Sequence, residues 1–136
     1  MEKTLVIIKP DGVKRGIVGK IISHFEDRGI ILSDMFMVEP QDTQVKKHYN
    51  KFLEKGFFPR ILNFMTSGKV VVVILEGYDV IKNIREMIGS TNPVDAKFGT
   101  LRNKYASSMQ ENIIHASESH KEFRREYDIW NPPPTD

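Results

Sequence analysis

Residues 69–76, KVVVVILE, set six apolar residues in a row between Lys69 and Glu76, four of them valine. The run is short and rich in β-branched side chains, and no polar residue interrupts it, so it reads as an inner strand buried on both faces. The residues that follow, 79–89 (DVIKNIREMIG), read as a helix that Asp79 caps and Gly89 ends. Upstream, residues 3–9 (KTLVIIK) form a second apolar run that stops at Pro10-Asp11-Gly12, the turn chemistry that closes a strand. Between these two strands the chain supplies an amphipathic helix over 16–28, with Ile17, Ile21, Ile22 and Phe25 at three- and four-residue spacing. A strand follows over 30–38, then two short helices over 43–55 and 59–65, with the aromatic pair Phe57-Phe58 between them. Downstream, residues 90–111 show no sustained period and read as a long irregular loop, of the kind that is usually functional in a compact domain. A last strand, NIIHA (112–116), and a helix from about residue 119 to 127 complete the chain. This order is a split βαβ pattern: an α+β, ferredoxin-like sandwich, with an antiparallel sheet of four strands and helices on one face.

Composition sets the outer limits. The 136 residues, 40% of them hydrophobic, suit a single domain over 1–136 with a short irregular tail at about 131–136 (NPPPTD). There is no cysteine, which removes zinc-thiolate sites, thiol nucleophiles and disulfides together. The first residues, MEKTLVIIKPDG, are too briefly apolar for a secretory signal, and a reducing, cytoplasmic location is expected. No apolar run approaches a membrane span, so no membrane association is expected. With 20 basic and 18 acidic residues the net charge is +2, which argues against nucleic acid as the primary partner and leaves anion binding to local placement.

Several local patterns carry chemistry. RGIVGK (15–20) has the ingredients of a phosphate loop, but Gly16 and Gly19 are too close together and Ile21 stands where a Ser or Thr would bind magnesium; close helix–sheet packing explains the glycines better. Lys9 ends the first strand beside a tight turn, where a cation can face a cleft. His115 ends an apolar run and is followed by Ala116 and Ser117, which leave room for a phosphate beside the ring. A carboxylate at Glu118, Glu122 or Glu126 could accept one ring N–H and fix the tautomer, and a neutral imidazole needs no separate base to attack. His24, His48 and His120 fall in helical patterns and read as surface residues, which argues against a multi-histidine metal site. Arg85, Thr91 and Arg102 flank the long loop and suit a phosphate; Tyr49 and Phe57 read equally as core or as a platform for a base.

Taken together, IIKPDGVKRG (7–16), HY (48–49), FF (57–58), SGKVVVVILEG (67–77), IREMIGSTNP (84–93), GTLR (99–102) and NIIHASES (112–119) resemble the nucleoside diphosphate kinase family, from about Lys3 to Trp130. The resemblance implies a ping-pong enzyme in which His115 takes the γ-phosphoryl group of ATP, GTP or another nucleoside triphosphate and passes it to any nucleoside diphosphate. It implies that Glu126 accepts the ring N–H and that Lys9, Tyr49, Arg85, Thr91, Arg102 and Asn112 bind phosphate and sugar. Phe57, with Ile61 beside it, would stack on the base, and Ser117 and Glu118 would stand behind the reacting groups. Mg²⁺ is the implied cofactor, held mainly by the nucleotide's phosphates, with no protein ligand assigned. A homo-oligomer is implied, a hexamer ahead of a tetramer. Departures from the family pattern are Glu118 for aspartate, Lys69 and Phe98 for proline, Asn103-Lys104-Tyr105 for Gly-Asp-Phe, and Gln110-Glu111 for Gly-Arg. The extra methylene of Glu118 keeps the charge and is expected to tune rate. The rival reading, a scaffold that kept the fold without the reaction, would show a missing nucleophile or phosphate ligand, and none is missing.

Overall fold

A computed structural model describes residues 1–131. The proline-rich tail expected at 131–136 therefore lies, apart from Asn131, outside the described residues. Four strands, β1 (Glu2–Ile8), β2 (Ile31–Val38), β3 (Val70–Gly77) and β4 (Ile114–Ala116), form an antiparallel sheet in the order β2-β3-β1-β4. The valine-rich run is an inner strand, paired with β1 from Val71↔Ile8 to Gly77↔Glu2 and with β2 on its other side.

Helices cover both faces of this sheet, not one. Along β1, Leu5 and Ile7 point to one face and Val6 and Ile8 to the other, as the two-residue period of a strand requires. Val71, Val73 and Leu75 join the Val6 side, where α2 (Val18–Asp27) and α5 (Val80–Ile88) pack through Ile21, Phe25 and Ile84. Val70, Val72 and Ile74 join the Leu5 side, under α3 (Asp42–His48), α4 (Phe58–Met65) and α7 (His120–Trp130). A run without alternation is the sequence consequence of this double cover.

Several local expectations change. Pro10-Asp11-Gly12 does not form a turn alone but begins a helix, α1 (Pro10–Lys14), with proline at its first position, where no N–H is needed. Gly16 and Gly19 do not mediate close packing: a Cβ at either would meet nothing within 4 Å, and Gly16 serves a backbone turn at φ +70°. Asp79 precedes α5 in a left-handed conformation without a capping bond from its side chain; the Glu2 carboxylate accepts the Ile81 N–H at 2.9 Å instead. The helix expected over 43–55 stops at His48 and continues as a 3₁₀ turn, Asn50–Phe52. The irregular stretch at 90–111 contains a 3₁₀ turn, Pro93–Asp95, and the short helix α6 (Leu101–Tyr105), capped by the Thr100 hydroxyl. The fourth strand is shorter than expected, because Ile113 leaves the extended region.

Candidate active site

Ile113 explains how the nucleophile candidate is aimed. It is a fully buried β-branched residue at φ +67°, a conformation that costs about 1–3 kcal/mol. Three hydrogen bonds hold it there. The Ile114 N–H donates to the Asn112 carbonyl at 2.8 Å, closing a γ-turn around Ile113; the Lys9 N–H donates to the Ile113 carbonyl at 2.7 Å; and the Ile113 N–H donates to Asp11 Oδ2 at 3.1 Å. The turn places Asn112 and His115 on the wall of one cleft, beside the end of β1 that carries Lys9.

This cleft encloses about 260 Å³ and gathers residues from every part of the chain: Lys9, Tyr49, Arg85, Thr91, Arg102 and His115 all face it. Lys9 Nζ donates to Asn112 Oδ1 at 2.8 Å, and the Asn112 amide donates to the carbonyls of Thr91 and Met109 at 3.2 and 3.1 Å. Asn112 thus ties the strand end to two separate points of the loop. Arg102 is anchored through Nη1 to the Gly89 carbonyl at 3.0 Å and through Nη2 to the Ile114 carbonyl at 2.6 Å, while its Nε is buried without a partner. Arg85 donates to the Ala116 carbonyl at 3.1 Å. Gly89 is required at this junction: at φ +91° its missing Cβ would lie 2.5 Å from the Thr100 hydroxyl oxygen.

Of the three carboxylates that the sequence left open, Glu126 meets the ring. Glu126 Oε1 lies 3.0 Å from His115 Nε2 and also accepts the Ser117 hydroxyl at 2.6 Å. A carboxylate accepts, so the proton of the neutral ring sits on Nε2 and Nδ1 keeps its lone pair. Glu118 and Glu122 line the cleft farther out, and Glu118 is exposed. Among the sequence-derived candidates, Ser117 does not face the cleft; it is fully buried and acts on Glu126.

The electrostatics follow from burial among cations. His115 is held well below the ordinary imidazole range by desolvation, then by Lys9, Arg102, Arg85 and Arg125, so the ring is neutral at neutral pH. Lys9 is lowered to about 8 by burial and by Arg102, with Asp11 opposing. Arg102 is lowered to about 10 by burial and Arg85 and stays charged. Burial, with Glu126 adding to it, pushes the Tyr49 hydroxyl up, so it remains a neutral donor. Lys9, Arg85 and Arg102 converge on this cleft, where a bound phosphate would meet three cations at once.

A second cavity, of about 510 Å³, continues from the first past Lys9, Thr91 and Asn112, and it is apolar where the first is charged. Phe57 and Ile61 line it. Phe57 is 48% exposed, which excludes the core reading, and it packs on Phe52 at 5.5 Å, which in turn stacks on Tyr49. Phe52 and Met109 on this wall carry no signal in the sequence, and Gln110, noted there only as a departure from the family pattern, lines it too.

His48 is the main correction. It is not a surface residue: it is 5% exposed, and its ring lies edge-on to that of His115, with centroids 4.5 Å apart. A signal existed, since Val45 and His48 are three residues apart and share the inward face of α3. Its partner, Trp130 at the far end of the chain, had no such signal.

A sequence model described as nucleoside diphosphate kinase matches residues 2–134. A nucleoside diphosphate kinase of an Exiguobacterium species is 47% identical over 130 residues, which are 96% of this chain and 94% of that protein. One from Saccharolobus islandicus is 46% identical, with the same coverage. Among solved structures, the apo nucleoside diphosphate kinase of Encephalitozoon cuniculi superposes with a TM-score of 0.93 at 34% identity, over 99% of this chain and 95% of that one. The Aquifex aeolicus nucleoside diphosphate kinase gives 0.89 at 34% identity, over 94% and 93%. With its fold and nearly its whole length shared with these proteins, the chain belongs to the nucleoside diphosphate kinase family.

Proposed function

We propose that this chain carries out its family's reaction, transfer of the terminal phosphoryl group of a nucleoside triphosphate to a nucleoside diphosphate, through Nδ1 of His115. The observation that supports this most directly is the division of the ring's two nitrogens. Nε2 is taken by Glu126, and Nδ1 makes no hydrogen bond to any described residue.

In the first half-reaction the Nδ1 lone pair forms a bond to the γ-phosphorus. The bond from phosphorus to the β–γ bridging oxygen breaks, and the diphosphate leaves with that electron pair. The ring keeps its Nε2–H and becomes cationic, and the Glu126 carboxylate offsets this charge. A second nucleoside diphosphate takes the phosphoryl group by the reverse of the same steps. The transition state is loose and its charge sits on peripheral oxygens, so the work falls on positioning and electrostatics. Lys9, Arg85 and Arg102 would receive that charge, and Tyr49, Thr91 and Asn112 would hold phosphate and sugar. Phe57 would stack on the base with Ile61 beside it; stacking reads no base edge, so ATP, GTP and the other nucleotides would all serve.

Mg²⁺ fits this donor set. The cleft offers carboxylates at Glu118 and Glu122 but no cage of oxygens, which suits an ion that keeps its waters and arrives on the nucleotide. When bound it would offset phosphate charge, and Glu118 and Glu122 are the cleft carboxylates that would help hold it. No helix among the described residues is long and apolar enough to cross a membrane. We infer a cytoplasmic homo-oligomer, a hexamer ahead of a tetramer; the family supports this.

The test is to incubate the protein with γ-labelled ATP and Mg²⁺, remove nucleotide, assay acid-labile phosphoprotein and chase it with GDP, alongside His115→Asn. Label on the wild type alone that moves to GDP is the expected result. Equal label on His115→Asn would overturn the assignment of the nucleophile.

A further inference from the structure

His48 is a titratable group of the site to which the transfer step assigns nothing. It ends α3 and is 5% exposed, with its ring plane at 79° to that of His115. The Trp130 indole, fully buried at the end of α7, donates from Nε1 to His48 Nδ1 at 2.9 Å. An indole nitrogen is only a donor, so the Nδ1 that accepts from it carries no proton, and the neutral ring bears its proton on Nε2. That Nε2–H faces Glu126 Oε2 at 3.9 Å, while the other oxygen of the same carboxylate holds His115 and Ser117.

We infer that His48 is a positioning residue for the nucleophile: a neutral imidazole, fixed as the Nε2–H tautomer by Trp130, whose edge holds the plane of the His115 ring and whose N–H dipole faces the second oxygen of Glu126. The inference rests on His115 being the nucleophile.

Two other readings of the cluster are less well supported. The donor atoms of His48, His115 and Glu126 lie within 4.8 Å of one another, a spacing open to a metal ion. A metal would need the lone pair of His48 Nε2, and the bond from Trp130 puts a proton there. A simple core filler would not need a polar ring set against both the nucleophile's ring and its carboxylate. The groups facing His48 are Glu126 and Arg125 of α7, His115 of β4, Lys9 at the end of β1, and Tyr49, whose ring lies 4.6 Å from it after α3. Burial is the largest influence on its ionisation, and it holds the ring neutral, with His115, Arg125 and Lys9 adding and Glu126 opposing. Neutrality has a use: a protonated His48 would compete with the phosphorylated His115 ring for the one carboxylate.

The experiment compares wild type, His48→Phe, His48→Gln and Trp130→Phe as full chains, by single-turnover labelling with γ-labelled ATP, steady-state kcat and KM, and thermal unfolding. Phenylalanine keeps the ring edge and removes both polar contacts; glutamine returns an N–H near the position of Nε2. Loosening a reacting group costs about tenfold to a hundredfold in rate, so His48→Phe should label that much more slowly, with KM changed by less than about twofold. His48→Gln should recover most of the loss although its unfolding midpoint differs as much from wild type as that of His48→Phe. Wild-type labelling rate in His48→Phe, or a rate loss that tracks the unfolding midpoint across all three variants, would overturn the inference. Should the variants not fold, ¹⁵N imidazole spectra of the wild type decide it: His48 should stay the neutral Nε2–H tautomer between about pH 6 and 8, and an Nδ1–H tautomer or an imidazolium there refutes it. Label retained by His115→Asn defeats the nucleophile assignment instead, so the two failures are distinguishable.

Discussion

Replacing Glu126 by glutamine isolates the charge opposite the nucleophile. The carboxylate is 3% exposed, and one oxygen accepts both the Ser117 hydroxyl at 2.6 Å and His115 Nε2–H at 3.0 Å. Glutamine keeps the volume and a carbonyl acceptor at that place and removes the charge. In the resting enzyme the ring is neutral and loses little; once phosphorus bonds to Nδ1 the ring is cationic and loses a charged partner. A hydrogen bond to a charged group contributes about 1.5–3 kcal/mol against about 1 kcal/mol for a neutral one, which leaves a difference of about 0.5–2 kcal/mol felt mainly in the transition state. That converts to a fall in kcat of about 2-fold to 30-fold. KM should change by less than about twofold, because Glu126 touches the ring and not the nucleotide. Stability should hold or rise slightly, since an amide is cheaper to bury than a carboxylate. Steady-state kinetics with ATP and GDP, rapid-quench measurement of phosphoenzyme, and thermal unfolding of both proteins supply the readouts. An unchanged kcat, or a loss that appears wholly in KM, would refute the role assigned to the charge.

The other predictions concern ionisation and stacking. With Lys9 proposed as a phosphate ligand and its value lowered to about 8, kcat/KM should decline as pH rises through that value, and Lys9→Arg should move the decline to higher pH. The limb in kcat should lie higher than that in kcat/KM, since bound phosphate favours the ammonium; a decline that Lys9→Arg leaves in place assigns it to another group. His48, which is buried, and His115, which is half-buried, both have lowered values, so the unfolded chain takes up protons first as pH falls below about 6.5. Stability should therefore be full above that pH and fall below it, by up to about 1.4 kcal/mol per pH unit for each ring, as denaturant midpoints from about pH 7.5 to 5 can measure. Phe57→Ala removes a half-exposed platform and should raise KM about tenfold, by a similar factor for each base; a loss confined to purines would show that the base is read by something other than stacking.

The fold was legible because its strongest signals are local. The apolar run at 69–76 needs two covered faces, and only an inner strand with helices on both sides supplies them; reading helices on one face neglected this consequence of the same run. Lys9 and His115 were legible as candidates because a strand end and small neighbours are visible in a row of residues. His48 was misread because helical periodicity separates faces but does not say what covers them. The γ-turn at Ile113 could not be foreseen at all, since an isoleucine is among the least suited residues for positive φ. It survives only because Asp11 and Lys9, about a hundred positions earlier, bond to it.

By itself the sequence determined the order of strands and helices, the absence of thiol chemistry and, through motifs spread over nearly its whole length, the family. The tertiary structure decided which carboxylate meets the histidine, which ring nitrogen is left to react, and which second imidazole stands beside it. The physical reason is range. Periodicity and turn chemistry act over a few residues, whereas the bonds that set a tautomer join positions 48, 115, 126 and 130, which become neighbours only when α3 and α7 close over the same face of the sheet.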